Sequence, residues 1–469
     1  MKFKEKVVKK VAKKVLTKNN KPKLHKSKLS RSNFSKPSFS KPELLSGAGD
    51  WPSLIAAVKN GADAVYFGVK GFNMRDFGTN FSNSDLKKVM EYLHGKNPCK
   101  RKVFGYLTVN TVVFENELSA VEKVIVAAKK AKVDAIILSD MGVLSLANKH
   151  KIEAHLSTQA SVTNSIAIKK YADLGVKRIV LARELDLVQI KKIVPIAHKL
   201  GVKIECFIHG AMCVAISGRC FLSHEVFGKS ANRGQCLQPC RRSFFPSEKT
   251  SGKEVPSASV YFLDGSAPDF EKKEVFLEGN TIISPKDMKT IEFIDKLIEA
   301  GIDSLKIEGR TKPSDYVATT TRCYREAIDS VFDKTYSVEK INYWNNELKK
   351  VYNREFSKGF YLSTPGGKDL AKGQGSFQKQ KRQNIGVVTK YYAKVNVAEI
   401  KLFDSVSVGD NLLIEGETTF LEQKIDSMQI NLKPIDTASQ GQSVGIKVND
   451  RVRPKDKVFK LILNDKKTN

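Results

Sequence analysis

Short apolar runs alternate with longer stretches of helical periodicity along most of the chain from residue 43 onward. The apolar runs are predicted strands, at residues 43–46, 63–68, 102–109, 134–139, 152–157, 177–182 and 202–208. Predicted helices include 51–60, 115–131, 186–199, 287–300, 314–333 and 336–353. This alternation is typical of a parallel sheet with crossover helices. An eighth strand at 303–307 would complete a TIM-like (β/α)8 barrel over residues 43–335.

The pattern changes again after residue 384, where short alternating runs are separated by turn residues such as Gly409-Asp410. Short strands with glycine turns predict a small C-terminal β-barrel domain over residues 384–469. A helical segment and a linker rich in Gly, Lys and Gln, residues 336–383, join it to the first barrel. Small barrels of this kind often bind nucleic acid, while many others only pack against a neighbouring domain.

The charge of the chain favours a polyanionic partner. The formal net charge is +30, and residues 1–42 carry fifteen Lys or Arg and one acid, Glu5. That segment is rich in Ser, Lys, Asn and Pro, a composition that predicts a disordered basic arm. Residues 243–280 have little periodicity and are predicted to be an insertion. Nucleic acid and an acidic membrane surface are the two partner classes that such a charge favours.

Compartment can be inferred from apolar content and the N-terminus. Hydrophobic residues make up 41% of the chain, which is ordinary for a globular protein, and no apolar run approaches the length of a membrane span. The basic N-terminus is not followed by an apolar stretch with a cleavage site, so no signal peptide is predicted. We therefore expect a cytoplasmic protein, whose thiols are reduced or bound to metal.

Five of the seven cysteines lie in residues 205–242, four of them after the seventh predicted strand: Cys213, Cys220, Cys236 and Cys240. The fifth, Cys206, lies within the strand and is predicted to be a packed thiol. Glycine and small polar residues between the four indicate a loop, which we call the cysteine loop (residues 211–242). Thiols gathered in one glycine-rich loop indicate a metal site or a disulfide network.

The spacing of the four cysteines favours some metal groups over others as occupants of the cysteine loop. The intervals between successive cysteines are six, fifteen and three residues, and only the Cys236/Cys240 pair has the tight spacing that structural zinc sites use twice. An iron–sulfur cluster tolerates varied spacing and is favoured, with zinc second and free or redox-active thiols third. The C-x-x-x-C-x-x-C motif of radical enzymes fails, because its third position is Ser243. Disulfides would require an oxidising compartment.

Polar residues follow the predicted strands where a barrel would carry its active site. They are Asn110, Asp140, Gln159, Arg183-Glu184, His209 and Glu308-Gly309-Arg310. Arg310 is suited to bind a carboxylate or phosphate through two parallel hydrogen bonds. The cysteine loop leaves the same end of the barrel, so a cluster there would lie beside these side chains.

Two sets of motifs carry a specific resemblance. Glu205-x-Phe207-x-x-Gly210-Ala211-Met212-Cys213, followed by Ser217-Gly218-x-Cys220-x-Leu222-Ser223, resembles the signature of peptidase family U32, the collagenase-like peptidases. The motifs Asn232-Arg233-Gly234-x-Cys236-x-x-x-Cys240-Arg241 and Leu305–Lys312 resemble the branch of that family that hydroxylates the wobble uridine of tRNA, the TrhP-type proteins. The sequence departs from the family at Gly47, where proline is usual, and at Arg242, where tryptophan is expected.

The resemblance implies an iron–sulfur RNA-modifying enzyme. Many members of the family are oxygen-independent hydroxylases with a 4Fe-4S cluster, and the RNA-modifying members are associated with prephenate as oxygen donor. By this resemblance Cys213, Cys220, Cys236 and Cys240 would hold the cluster, and tRNA would be the partner, with an electron donor or a partner subunit as further expectations. Related proteins act on ribosomal RNA, which is one alternative.

Roles for the remaining site residues follow from this hypothesis. Glu308, Arg310 and His209 are predicted catalytic residues, with Glu308 or His209 moving protons at the base. Lys306 and Arg183 are predicted to bind substrate, together with Arg310, through the carboxylates of the oxygen donor. A collagenase-like peptidase is the other alternative, and it is less well supported because neither H-E-x-x-H nor G-x-S-x-G occurs in the chain.

Overall fold

Eight parallel strands close into a barrel in the computed structural model, which describes residues 40–242 and 283–464. They are β1 (Glu43–Gly47), β2 (Ala64–Phe67), β3 (Phe104–Val109), β4 (Ala135–Leu138), β5 (Glu153–Leu156), β6 (Arg178–Val180), β7 (Lys203–Gly210) and β9 (Ser304–Ile307). Neighbours pair in parallel, and β9 closes the ring by pairing with both β7 and β1. The predicted TIM-like barrel is therefore confirmed, with its eighth strand where the sequence indicated.

Helices surround this barrel, and several begin at side chains that cap their free N–H groups. They are α1 (Trp51–Lys59), α2 (Leu86–Leu93), α3 (Leu118–Lys130), α4 (Met141–Lys149), α5 (Ser165–Asp173), α6 (Leu187–Lys199), α7 (Leu222–Phe227), α8 (Ile294–Glu299), α9 (Ser314–Phe332) and α10 (Val338–Lys350). Asp50 accepts a hydrogen bond from the Ser53 amide at 2.9 Å, and Asp186 forms a capping box with Gln189. Helix α9 packs against α1 and completes the outer layer.

The predicted helix at 287–300 is wrong in its first half. Residues Asp287–Lys289 form a short strand, β8, which runs antiparallel to the end of β7, and α8 begins only at Ile294. Tertiary partners outweigh the local helical pattern: the Thr290 amide donates to the Tyr324 hydroxyl at 3.0 Å, and Asp287 accepts from Arg354. A short strand β10 (Phe356–Ser357) pairs with β8 in parallel and extends the sheet.

The C-terminal region, for which short strands of a small β-barrel were predicted, is an antiparallel sheet of short strands. Its strands are β11 (Gln380–Tyr392), β12 (Val397–Leu402), β14 (Asn411–Gly416), β15 (Thr419–Lys424), β16 (Met428–Ile430), β17 (Lys433–Ile435), β19 (Ser443–Lys447) and β20 (Lys457–Leu463). Their order is β15-β14-β20-β11-β12-β19-β16-β17, and β13 (Val406–Ser407) forms a separate ribbon with β18 (Thr437–Ala438). Within the described chain the end strands β15 and β17 do not pair with each other.

This sheet packs on the barrel through α1 and the start of α9. Leu413 and Phe420 belong to the same apolar core as the barrel helices, and Lys59 donates to the Phe420 carbonyl at 2.9 Å. At the start of α9, Ser314 donates to Glu415 at 2.5 Å. All described residues lie in one compact unit, Ser38–Asn469. The sheet thus buries apolar surface against its neighbour.

Two predicted segments fall outside this description. The basic arm, apart from residues 40–42, and the insertion at 243–280 lie outside the described residues. In the part of the chain that the structure describes, no helix combines the length and apolar character needed to cross a membrane.

Candidate functional site

A cavity opens at the carboxyl ends of the barrel strands, where a TIM-like barrel carries its active site. Its non-atom space is about 600 Å³, a volume that includes the part open to solvent. Its lining comes from strand ends, from the loop after β2 and from the cysteine loop: Tyr66, Met74, Arg75, Thr108, Asn110, Ile137, Ser157, Thr158, Gln159, Arg183, Phe207, Cys213, Ser217, Gly218, Lys306, Glu308 and Arg310. Most of the predicted polar residues therefore meet in one place.

Glu308 is a buried carboxylate held by an arginine that the sequence analysis missed. Arg75, in the loop after β2, donates to Oε1 of Glu308 from Nε at 3.3 Å and from Nη2 at 3.2 Å. Burial raises the pKa of Glu308, but the positive charges of Arg75 and Lys312 outweigh it and hold the pKa below its usual value. Glu308 is thus ionised at neutral pH and can accept a proton.

Arg310 is buried without a carboxylate partner. Its Nη2 donates to the side-chain oxygens of Asn73 at 2.5 Å and Asn80 at 2.8 Å, and its buried Nε has no partner in the structure. Burial lowers the pKa of Arg310 to about 10, so the group keeps its charge at neutral pH. A Cβ at Gly68 would lie 2.2 Å from Nη2, so only glycine leaves room for this guanidinium. The site therefore offers a positive charge to an anion.

Arg183 and Lys306 lie at the cavity on either side of Phe207. The guanidinium carbon of Arg183 is 3.9 Å from the centre of the Phe207 ring, and its Nη1 donates to the Ala211 carbonyl at the root of the cysteine loop. The Lys306 ammonium lies 5.3 Å from the same ring and 4.4 Å from the ring of Tyr66. Both residues line the cavity, as the hypothesis of substrate binding requires.

Lys306 also belongs to an ion network inside the barrel. Its Nζ donates to Glu205 at 2.8 Å, Arg178 donates to the other oxygen of Glu205 at 3.2 Å, and Arg178 also pairs with Glu43 at 2.5 Å. Burial opposes ionisation of Glu205, yet Lys306 and Arg178 lower its pKa to about 2. Glu205 therefore neutralises positive charge in the barrel interior.

The wall opposite Glu308 is a connected set of polar side chains. Asn110 accepts from the Met74 amide at 3.1 Å and donates to Ser157 at 3.1 Å and to Gln159 at 3.3 Å. Ser157 donates to Gln159 as well. Amide and hydroxyl groups arranged in this way can read the polar edge of a heterocyclic base.

His209 is not brought to the cavity, because the β7 strand is bulged before it. The register between β7 and β9 shifts between Phe207 and His209, so that Phe207 faces the cavity and His209 lies among Tyr316, Tyr324 and Phe356. Its Nδ1 is 3.3 Å from the Tyr324 hydroxyl. Burial, with smaller effects from nearby lysines, lowers the pKa of His209 to about 3. The geometry gives it a structural place.

Asp140 has a structural role too. It caps helix α4 by accepting hydrogen bonds from the amides of Gly142 at 2.8 Å and Val143 at 3.1 Å. Glu184 is not among the lining residues. Of the polar residues that follow the predicted strands, five line the cavity: Asn110, Gln159, Arg183, Glu308 and Arg310. Asp140, Glu184 and His209 do not, and Asp140 caps a helix instead.

The four thiols of the cysteine loop are free, and Cys213 lies on the cavity wall. Cys240 is within electrostatic reach of both Cys236 and Cys213, and the Cys220 amide donates to Asn232 at 3.0 Å. In the described residues, no three His, Cys, Asp or Glu side chains stand together at metal-binding distances. As a donor set, four thiols in one loop beside the cavity suit a soft metal or an iron–sulfur cluster.

Several supporting residues had only a weak signal in the sequence. Asn73, Arg75 and Asn80 lie in the irregular loop after β2, which folds over the barrel mouth. Their position after a predicted strand was the one available indication. The departure at Gly47 is explained by packing: a Cβ there would lie 2.7 Å from the ring of Tyr66, which donates to the Ile307 carbonyl at 3.0 Å.

Comparison with known proteins identifies the family of this chain. Residues 49–371 match the model of Peptidase family U32. An uncharacterized protease of Methanocaldococcus jannaschii is 44% identical over 89% of this chain and 98% of its own length. A collagenase of Porphyromonas gingivalis is 38% identical over 89% of this chain and 97% of its own length.

Relatives named for RNA modification match as well. The tRNA hydroxylation protein P1 of Bacillus subtilis is 33% identical over 79% of this chain and 82% of its own length. The 23S rRNA 5-hydroxycytidine C2501 synthase of Escherichia coli is 37% identical over 62% of this chain and 40% of its own length.

Proposed function

The chain belongs to peptidase family U32, and we propose that it is an iron–sulfur enzyme that hydroxylates a pyrimidine of RNA without molecular oxygen. Carbon five of the wobble uridine of tRNA is the proposed target, and prephenate is the proposed oxygen donor. The names of relatives that act on tRNA and rRNA support an RNA-modifying enzyme in this family. The observation that carries the proposal is that one cavity beside Cys213 holds both an ionised Glu308 and Arg310, which has no carboxylate partner.

The reaction sets what this cavity must do. Replacing C5–H by C5–OH is a two-electron oxidation of the base, so the donor must give up an oxygen atom and accept two electrons. Glu308 would accept the proton that leaves C5 and return a proton to the product. Arg310 and Arg183 would hold the carboxylates of a dicarboxylate donor. The amide wall at Asn110 and Gln159 would orient the base.

The cysteine loop would supply the redox component. Cys213, Cys220, Cys236 and Cys240 are the proposed ligands of a 4Fe-4S cluster, which when bound would provide a path for electrons at the cavity wall. Arg241, which follows the last ligand, donates to the Met212 carbonyl at 3.0 Å and ties the two ends of the loop together.

Iron content tests the cluster directly. Protein purified without oxygen should be brown and contain about four irons per chain. Alanine at any of the four proposed ligands should remove the colour, whereas Cys99→Ala and Cys323→Ala should keep it, because those thiols lie outside the loop. Colourless protein with stoichiometric zinc would contradict the cluster.

Nucleoside analysis tests the reaction. In a deletion strain, mass spectrometry of total tRNA should show the loss of 5-hydroxyuridine and its derivatives, restored by the wild-type gene and not by Glu308→Gln. A normal tRNA profile with 5-hydroxycytidine missing from rRNA would move the substrate to the ribosome, as the name of the Escherichia coli relative suggests. Normal nucleosides in both RNAs would refute RNA hydroxylation.

A peptidase is the second candidate function, and the name of the Porphyromonas gingivalis relative favours it. The cavity lining contains no serine–histidine or cysteine–histidine pair, since His209 is outside it among the described residues. Incubation of the purified protein with gelatin and casein separates the two functions: intact chains support the hydroxylase, and cleavage that Glu308→Gln abolishes supports the peptidase.

A further inference from the structure

Three loops meet at the mouth of the barrel, and Asn232–Gly234 of the cysteine loop joins them. Asn232 accepts from the Cys220 amide, and its carbonyl accepts from the Val112 amide at 3.5 Å. Arg233 donates to the Val112 carbonyl at 2.7 Å and pairs with Glu117 of the loop after β3. These contacts bind the cysteine loop to the loop between β3 and α3.

Gly234 makes the contact with the third loop. It has a φ of +82°, and a Cβ there would lie 2.1 Å from the carbonyl oxygen of Asn73, in the loop after β2. A side chain is excluded both by the backbone conformation and by this close approach. The segment therefore fixes the spatial relation of the three loops around the cavity.

Each of the three loops presents one exposed phenylalanine. Phe77, after β2, is 62% exposed; Phe114, after β3, is 55% exposed; and Phe221, in the cysteine loop, is 74% exposed. Each phenylalanine lies beside the contacts of Asn232–Gly234. Phe77 follows Asp76, whose Cβ is near Gly234, and Phe221 follows Cys220. The guanidinium of Arg233 lies 4.4 Å from the Phe114 ring. Exposed aromatic rings on loops whose other residues line a cavity indicate a binding surface.

The charge of the cysteine loop, which carries Phe221, favours one class of partner. Residues 213–242 contain five basic residues and one acidic residue, Glu225. Arg219, Lys229 and Arg242 of this segment are exposed. Rings with interleaved cations fit unpaired nucleotides, because bases stack on the rings while phosphates meet the cations. An unfolded peptide without an excess of acidic residues would contact the rings but gain nothing from the positive charge.

We propose that Phe77, Phe114 and Phe221 form a stacking surface for unpaired bases of an RNA loop and hold that loop over the cavity. The inference rests on the proposed function and identifies side chains that would bind the unpaired loop of its RNA substrate. Stacking of neighbouring bases on the rim leaves the target base free to turn into the cavity at a modest unstacking cost.

Binding of labelled RNA to the full-length protein, purified without oxygen, tests this surface. The probes are a hairpin with the tRNA anticodon-loop sequence and a fully paired duplex, measured by fluorescence anisotropy over a series of salt concentrations. Leucine at each phenylalanine keeps an apolar side chain but removes the ring. Each substitution should weaken hairpin binding about fivefold or more, and tryptophan at the same position should restore it.

Two controls isolate the role of the rings. Phe104→Leu removes a ring that is 41% exposed at the opposite end of the barrel, at the start of β3, and should leave hairpin binding unchanged. Duplex binding and the salt dependence of hairpin binding should also be unchanged in the triple leucine variant, because no cation is removed. Thermal midpoint and iron content of each variant identify any loss of fold.

The results separate this surface from the proposed function. A folded triple leucine variant that binds the hairpin with wild-type affinity overturns the stacking surface. Denatured collagen chains are a further probe: a triple variant that no longer binds them, but still binds the hairpin, also overturns it. If nucleosides in the deletion strain are normal while hairpin binding still needs the rings, the hydroxylase is refuted and the RNA surface stands. Missing nucleosides with ring-independent binding give the reverse outcome.

Discussion

Two buried arginines in the same barrel have opposite electrostatic surroundings. Arg178, in β6, is paired with Glu43 and Glu205, and these carboxylates raise its pKa even though burial opposes the charged form. Arg310, after β9, contacts only the amide oxygens of Asn73 and Asn80, and burial lowers its pKa to about 10.

The difference distinguishes an ion network between the strands, which includes Arg178, from the unpaired charge of Arg310 at the cavity. Charge that is neutralised between strands stabilises the barrel, since removing one partner leaves the other buried and unpaired. Charge that is buried without a counterion is unfavourable until an anion binds, which makes Arg310 a candidate for anion binding. Lys306 lies between the two regions: it pairs with Glu205 and also lines the cavity.

The largest expected effect is on the paired region. Glu205→Gln would leave Lys306 and one side of Arg178 without a carboxylate, which should lower the free energy of unfolding by about 3–5 kcal/mol. Urea unfolding at pH 7 measures it. The double variant Glu205→Leu/Lys306→Met should recover part of the loss, because it removes both members of one pair. A single variant as stable as wild type would break the distinction between the two arginines.

The second expected effect is on the unpaired region. Arg310→Met should weaken binding of prephenate, the proposed oxygen donor, about a hundredfold by calorimetry, because it removes a buried cation from the cavity wall. It should cost less unfolding free energy than Glu205→Gln, since no carboxylate loses its partner. Arg310→Lys is the matched control for charge without the two-pronged geometry. Unchanged prephenate affinity together with a large stability loss would assign Arg310 to the framework.

Residues on regular strands were the ones that the sequence could place. Lys306 lies in β9, and Glu308 and Arg310 follow it, so the strand pattern alone brought them to the barrel mouth. Asn73 and Arg75 lie in an irregular loop whose path depends on contacts with Gly234, more than a hundred residues away in the chain. No local pattern encodes a contact of that kind.

Strand irregularity explains the other differences between expectation and structure. One extra residue in β7 moves His209 from the cavity to the layer between strands and helices, and periodicity cannot locate such a bulge. The segment at 287–289 becomes a strand because the end of β7 offers it an edge. The cluster and the catalytic roles stay predictions.

The smallest expected effect concerns His209, which lies outside the cavity among aromatic rings. Its pKa is about 3 in the folded protein and about 6.5 in an unfolded chain, so between these values the unfolded state binds the extra proton. Stability should therefore fall as the pH drops from 6.5 toward 3, by about 2 kcal/mol from this group between pH 7 and pH 5.

His209→Asn keeps a polar group near Tyr324 but cannot titrate, so its unfolding free energy should fall less over that interval. Parallel profiles for wild type and His209→Asn would show that this histidine is not held neutral by burial, and would reopen its assignment to proton transfer.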